Sequence, residues 1–366
     1  MSGRIGAALR RRVGAALIDW PAYEWNLRGR DAAAGRHWTR IGNRRDRIEV
    51  GPGGRGARPG GRWTSRIHVC DVFPRLGARL MERALREWPV ALADPPAADP
   101  RSAGQADGAP DVSFVVGHRG TDRLPHLSLV LAGIAAQVGA AVECVVVEQS
   151  AQPEIAGRLP DWVRYVHTPA PAAMPYSRSW AFNVGARAAR GAILVFHDND
   201  MLLPRGYAAE ALAIRRNGYE VMNLKRFVFY LGERESLRVM AGNAIEGRPD
   251  VVIQNLEGGG SVAIDRDAFF ALGGFDEAFV GWGGEDNEFW ERCAVRAVWP
   301  WGYLPLVHLH HEEQAGKGRR DRATAALLDV RSRVPAAERV RELTARNFGR
   351  IEGPDPSYPV AEGSAR

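Results

Sequence analysis

From residue 112 onward the chain alternates short, continuous apolar runs with helix-like segments, and that rhythm limits it to few folds. VSFVVG (112–117), VECVVVE (142–148), VRYVHT (163–168) and AILVFHDND (192–200) are strand-length runs rich in β-branched residues. An uninterrupted apolar strand is buried on both faces, the condition of a parallel sheet covered by helices. LSLVLAGIAAQ (127–137) and SRSWAFNVGARAARG (177–191) supply helices between them, the second with Gly191 placed as its C-cap. Such a βαβ series predicts an α/β fold with a mostly parallel central sheet flanked by helices. Ligands of these sheets sit beyond the carboxyl ends of the strands, so chemistry is expected there.

Other segments set boundaries. Residues 92–110, LADPPAADPRSAGQADGAP, lack periodicity and read as a linker. They divide an Arg-rich region, 1–91, from a domain at 111–320, which a C-terminal helix and tail (321–366) follow. Gly51, Gly53 and Gly56 form a literal GxGxxG, but Pro59, Gly60 and Gly61 break the helix a dinucleotide fingerprint needs. This stretch reads as a loop. After it, Leu76, Leu80, Met81 and Leu85 fall at helical spacing.

Charge and cysteine content narrow the classes further. Residues 1–90 hold 19 Arg and 8 acidic residues, whereas the whole chain is only +6. Lys225 and Lys317 are the only lysines, so arginine is favoured throughout and the charge alone implies no nucleic-acid partner. The basic start is either a solvated surface helix or an amphipathic helix on an anionic membrane. Its apolar segments are too short for a secretory signal, and no run reaches the roughly 18–20 apolar residues of a membrane span. Cys70, Cys144 and Cys293 are far apart and unpaired in pattern, which fits a reducing compartment. The expected location is the cytoplasm, with the basic region able to touch the inner face of the plasma membrane.

The strand ends carry the candidate chemistry. The first ends in Gly117, His118 and Arg119, the second in Glu148, Gln149 and Ser150, the fourth in Asp198, Asn199 and Asp200. In extended backbone Asp198 and Asp200 share a face, and two carboxylates there call for a counter-charge. A divalent cation with oxygen ligands, Mg²⁺ or Mn²⁺, would supply it. LVHLHHEEQ adds His308, His310 and His311, as a further ligand to that cation, a separate zinc site, or surface histidines. In GWGGEDNEFWERC (281–293), glycines precede Glu285 and Asp286 at a helix start. The acids oppose the helix dipole there and are also placed to act as a base. Phe289, Trp290, Cys293 and Ala297 have core spacing, and Trp180 reads as packing.

VSFVVGHRG, VECVVVEQS, SRSWAFNVGARAARGAILVFHDNDMLLP, EGGGSVAIDRDAFFALGGFDEAFVGWGGEDNEFWERC and HLHHEE occur in the order of the blocks of A-type nucleotide-sugar glycosyltransferases. The chain resembles the β-1,4-galactosyltransferase group and the bacterial chondroitin-polymerase-like enzymes across residues 111–315. The resemblance implies a glycosyltransferase A-type fold, a UDP-sugar donor, a glycan or glycolipid acceptor, and a divalent cation, usually Mn²⁺. It implies that Gly117, His118 and Arg119 border the nucleotide and Glu148 the uridine. Arg178 and Asp198 lie against the donor, and Lys225 contacts the diphosphate. Gly259 and Gly260 line the sugar, and Trp282 forms a wall between donor and acceptor. Asp200 becomes the DxD metal ligand, joined by His310, with His308 the alternative. Asp286 becomes the catalytic base of an inverting displacement, and Glu285 binds acceptor hydroxyls or orients the helix start. Gly117 and His118 depart from the family, whose first strand usually ends in Pro followed by an aromatic or Thr. A different metal-dependent nucleotide enzyme and a non-catalytic carbohydrate-binding module are the rival readings.

Overall fold

The computed structural model describes residues 46–50, 61–65, 74–93, 108–254, 258–299, 302–312 and 317–354, with the single positions 13, 17 and 21. The GxGxxG stretch, Cys70, the rest of the basic N-terminal segment, most of the 92–110 linker and the tail beyond 354 lie outside the described residues. In chain order the strands are β1 (Asp46–Val50), β2 (Gly61–Ser65), β3 (Val112–His118), β4 (Val142–Ser150), β5 (Arg164–Pro169), β6 (Ile193–His197), β7 (Met201–Leu202), β8 (Val221–Met222), β9 (Lys225–Tyr230), β10 (Val251–Gln254), β11 (Ser261–Asp265), β12 (Val298–Trp299) and β13 (Leu304–His308). The helices are α1 (Pro74–Glu87), α2 (Leu124–Ala135), α3 (Arg178–Ala188), α4 (Tyr207–Arg216), α5 (Glu233–Met240), α6 (Arg266–Ala271), α7 (Glu285–Cys293), α8 (Lys317–Ser332) and α9 (Ala336–Thr344).

Seven strands form the central sheet in the order β12-β8-β11-β6-β3-β4-β5. Its β6-β3-β4-β5 half is parallel, β12 pairs parallel with β8, and β11 runs antiparallel to both its neighbours. The strand side chains divide by parity, as a period of two requires. Phe114, Val116, Cys144, Val146 and Val195 face one core with α2 and α4. Val115, Val145, Val147, Leu194 and Phe196 face the other with α3, α6 and α7. Leu80, Met81 and Ala84 of α1 enter the first core, and Phe289, Trp290 and Cys293 of α7 the second. Trp180 is buried, with its Nε1–H donating to the Arg350 carbonyl.

Three local expectations change. Helix α3 stops at Ala188 rather than running to Gly191. Gly191 instead passes so close to β3 that a Cβ would lie 2.6 Å from Ser113 Oγ, and its N–H donates to that hydroxyl. The fourth strand stops at His197, and Asp198–Asp200 form a turn. The two acids therefore do not share a strand face.

A second sheet, ordered β10-β9-β13-β7, was not apparent from the βαβ rhythm. Its register sets His308 of β13 beside Met201 of β7 and Tyr230 of β9. This pairing carries the histidine cluster to the Asp198–Asp200 turn.

Helix α7 is bolted from behind. Glu288 is fully buried and accepts from Arg292 Nε (2.7 Å) and Arg339 Nη1 (3.0 Å) of α9, while Arg292 Nη1 donates to the Leu272 carbonyl (2.6 Å). A buried ion pair adds little net stability over an apolar pair, but losing one member strands the other charge. Arg292→Ala is expected to cost about 3–5 kcal/mol, read by urea denaturation; a loss under about 1 kcal/mol would contradict this bolt.

Candidate active site

A cavity of about 660 Å³ opens beyond the carboxyl ends of β3 and β6. Gly117, His118, Arg119, Arg178, Asp198, Asp200, Gly259, Gly260, Trp282, Glu285, Asp286, His308 and His310 all line it. Two residues singled out in the sequence do not. Glu148 is fully buried beneath the cavity rim, where Tyr165 Oη (2.5 Å), Ser150 Oγ and the Glu154 and Ile155 N–H groups all donate to it. Burial opposes its charge, but those donors prevail and lower its pKa. Lys225 is also buried, its Nζ donating to Asn223 Oδ1 (3.0 Å) and the Ser261 carbonyl (2.7 Å).

Arg178 is the hub of the cavity. It stands at the first position of α3, where the Ser177 side chain caps the helix by accepting from Trp180 N–H. Its Nε and Nη2 fork onto Asp198 at 2.9 and 2.7 Å, and its Nη1 donates to Glu285 (3.3 Å) and to Asp286. The guanidinium lies 4.5 Å from the Phe182 ring centre, which fixes its plane. One cation thus serves three carboxylates. Burial pushes Glu285 up to about 7, reinforced by the Asp286 charge, and its Oε2 has no hydrogen-bond partner. Burial also raises Asp286, with Arg178 opposing the rise. The group therefore keeps one proton well above the usual carboxylate range.

The two acids owe their aim to the loop before α7. Gly284, the N-cap, has φ 91°, and a Cβ there would meet Phe279 at 2.9 Å and the Thr324 carbonyl at 3.2 Å. Gly281 N–H donates to the Tyr176 carbonyl (3.0 Å), and Thr324 Oγ1 of α8 donates to the Trp282 carbonyl (2.8 Å). Trp282 itself is half-exposed at the cavity wall. Gly117 has a plain reason to replace a larger residue: a Cβ there would collide with the Tyr176 hydroxyl.

Across the cavity, ligand atoms of Asp200, His308 and His311 all lie within 4.8 Å of one another. His308 Nε2 is 3.8 Å from Asp200 Oδ1 and His311 Nε2 is 3.2 Å from Oδ2. His310 lies outside this group; it is exposed, with its N–H donating to Ser236 Oγ and its carbonyl accepting from His126 Nε2. Burial opposes the Asp200 charge, yet His311, His308 and Arg123 together hold its carboxyl well below the usual range. A carboxylate and two imidazoles form a mixed oxygen and nitrogen donor set that a divalent transition metal can use. His118 is neutral, its pKa lowered by burial: Nε2–H donates to the Gly120 carbonyl (2.7 Å) and Nδ1 accepts from Asn199 (2.9 Å). That bond ties the end of β3 to the acidic turn.

Sequence reading passed over Arg123, Tyr176 and Tyr230, all of which line the cavity, and noted Asn199 at the strand end without giving it a role. Tyr230 stacks on His308 with ring centres 4.2 Å apart. Its place at the end of RFVFY was a usable signal, since a tyrosine closing a buried run carries a polar tip that suits a cavity wall. Arg123 carried no signal, because its partners Asp200 and His311 are 77 and 188 residues away.

Residues 250–298, which include the loop and all of α7, match the family profile described as the N-terminal domain of galactosyltransferase. Chondroitin synthase of Escherichia coli is 37% identical over 93 residues, 23% of this chain and 13% of that protein. The structure of GalNAc-T7 with UDP, GalNAc and Mn²⁺ is similar at 16% identity and a TM-score of 0.41, over 57% of this chain and 44% of that one. The chain thus spans a small part of the curated relative and under half of the structural one. The likeness to galactosyltransferase-like, A-type glycosyltransferases stands on the profile and the synthase.

The raised pKa of Glu285 gives a test. Its folded value, about 7, exceeds its ordinary 4.5, so the fold holds a proton that the unfolded chain releases. Stability from this group is full below pH about 4.5 and is lost as pH rises through 7. Glu285→Gln is therefore expected to gain melting temperature relative to the parent between pH 5 and pH 8, with about 1–3 kcal/mol at stake. A melting difference that does not change with pH would refute the buried-proton assignment.

Proposed function

We propose that the chain is a metal-dependent, inverting glycosyltransferase that moves a hexosyl unit from a UDP-sugar to a glycan or glycolipid acceptor. The catalytic unit is residues 111–320. One observation carries the reading: Asp286, inside the segment matched to galactosyltransferases, lines the same cavity as the Asp200–His308–His311 cluster. Asp200, His308 and His311 would hold Mn²⁺ or Mg²⁺, which when bound offsets the charge of a departing diphosphate.

The chain's own groups supply the rest. The acceptor oxygen attacks the anomeric carbon, the bond from that carbon to the diphosphate oxygen breaks, and the hydroxyl proton passes to Asp286. Burial raises the Asp286 pKa, and Arg178 opposes that rise, favouring the ionised form a base needs. An acceptor hydroxyl takes the place of one guanidinium contact, while the fork onto Asp198 keeps Arg178 in position. Glu285, carrying the shared proton, donates to a second acceptor hydroxyl. Gly259 and Gly260 let backbone approach the sugar, and Trp282 lies against it as an apolar face. His118 and Arg119 border the nucleotide; Glu148 and Lys225 act from beneath, the first holding the β4 end and the second the Ser261 strand.

Mn²⁺-dependent turnover of a UDP-sugar panel tests the reading, and no binding or hydrolysis of any member would end it. Asp286→Asn is expected to bind donor as before and to lose transfer by about 10²–10⁴-fold; unchanged transfer would remove Asp286 as the base. Asp200→Ala is expected to abolish Mn²⁺-dependent UDP binding by calorimetry, and retained Mn²⁺ affinity would contradict its role.

A further inference from the structure

Asp200 is claimed by a cation of the chain itself. Arg123 Nη1 lies 3.1 Å from Asp200 Oδ2, the same oxygen that His311 Nε2 approaches at 3.2 Å. The second guanidinium nitrogen, Nη2, is 2.9 Å from His311 Nδ1. Arginine only donates, so Nδ1 accepts there and carries no proton. The imidazole proton is then on Nε2, directed at Asp200, and that nitrogen has no lone pair to offer a metal.

The opposite tautomer is also provided for. His311 Nδ1 lies 2.8 Å from the Glu312 carbonyl. With its proton on Nδ1, the ring donates to that carbonyl and turns a free Nε2 lone pair toward Asp200. A backbone carbonyl fixing the tautomer in this way is the usual outer support of a metal-bound histidine. Nδ1 cannot accept from Arg123 and donate to Glu312 together, so the two arrangements exclude each other.

We propose that Arg123 is an internal counter-ion that competes with a divalent cation for Asp200 and His311. The inference rests on the metal reading given above. Asp200 is buried, and a buried carboxylate without a cation is costly, so one of the two rivals always serves it. Arg123 is only partly buried and stands just before α2, from where its side chain can leave toward the cavity. Metal affinity is therefore set below what the three ligands alone would give, and the site keeps its charge balance in either arrangement.

Mn²⁺ titrated into the full chain, with free Mn²⁺ followed by electron paramagnetic resonance, tests this. Arg123→Gln is expected to bind Mn²⁺ roughly tenfold more tightly than the parent, with a larger Mn²⁺-induced rise in melting temperature. Arg123→Lys, which keeps a cation but lacks the second donor, is expected to fall between them, and serves if the glutamine variant folds poorly. Equal or weaker binding by the variants overturns the competition and makes Arg123 a support for the ligands. Mn²⁺ binding by neither parent nor variant overturns the metal site itself, and this inference with it.

Discussion

The cavity depends on one guanidinium. Arg178 faces Asp198, Glu285 and Asp286, which come from a turn after β6 and from the first turn of α7. Without it three carboxylates would share one partly dry wall, and their mutual repulsion would open it. With it they converge, short of full compensation, and the shortfall appears as the raised pKa of Glu285. The same contact that assembles the site thus leaves both α7 acids with pKa values above the ordinary carboxylate range. The position of Arg178 follows from the Ser177 cap and the Phe182 ring, so a helix start and a core aromatic govern the electrostatics.

Charge at the opposite wall follows a parallel logic. Asp200 is buried and lowered by His311, His308 and Arg123, whereas the α7 acids are raised by burial first, with the Asp286 charge adding to Glu285 and the Asp198 charge to Asp286. Burial is common to both; the ratio of cations to carboxylates decides the sign.

The βαβ half of the sheet was readable in the sequence because continuous apolar runs have one stable setting, burial on both faces. The strand-end rule then located Gly117, His118, Arg119, Asp198 and Asp200, and the glycines before α7 located Glu285 and Asp286, all on the cavity. What was hidden was long-range. The second sheet joins β7, β9, β10 and β13, whose pairing leaves no local periodic trace, and it decides which histidines reach Asp200. His310 follows buried Leu309 and is exposed at the cavity, while His308 at the strand end and His311 past the bend approach Asp200. Glu148 and Lys225 looked like ligand contacts because a charged residue ending an apolar run is unusual. Both found protein partners instead.

Helix α7 has a consequence for how the chain is made. Its buried Glu288 relies on Arg339, and the loop before it on Thr324. Both partners follow α7 in the sequence. A chain emerging from the ribosome therefore completes the whole central sheet while the helix bearing Asp286 still lacks its backing. The wall that α7 forms thus takes its last support from later in the chain, when α8 and α9 dock behind it.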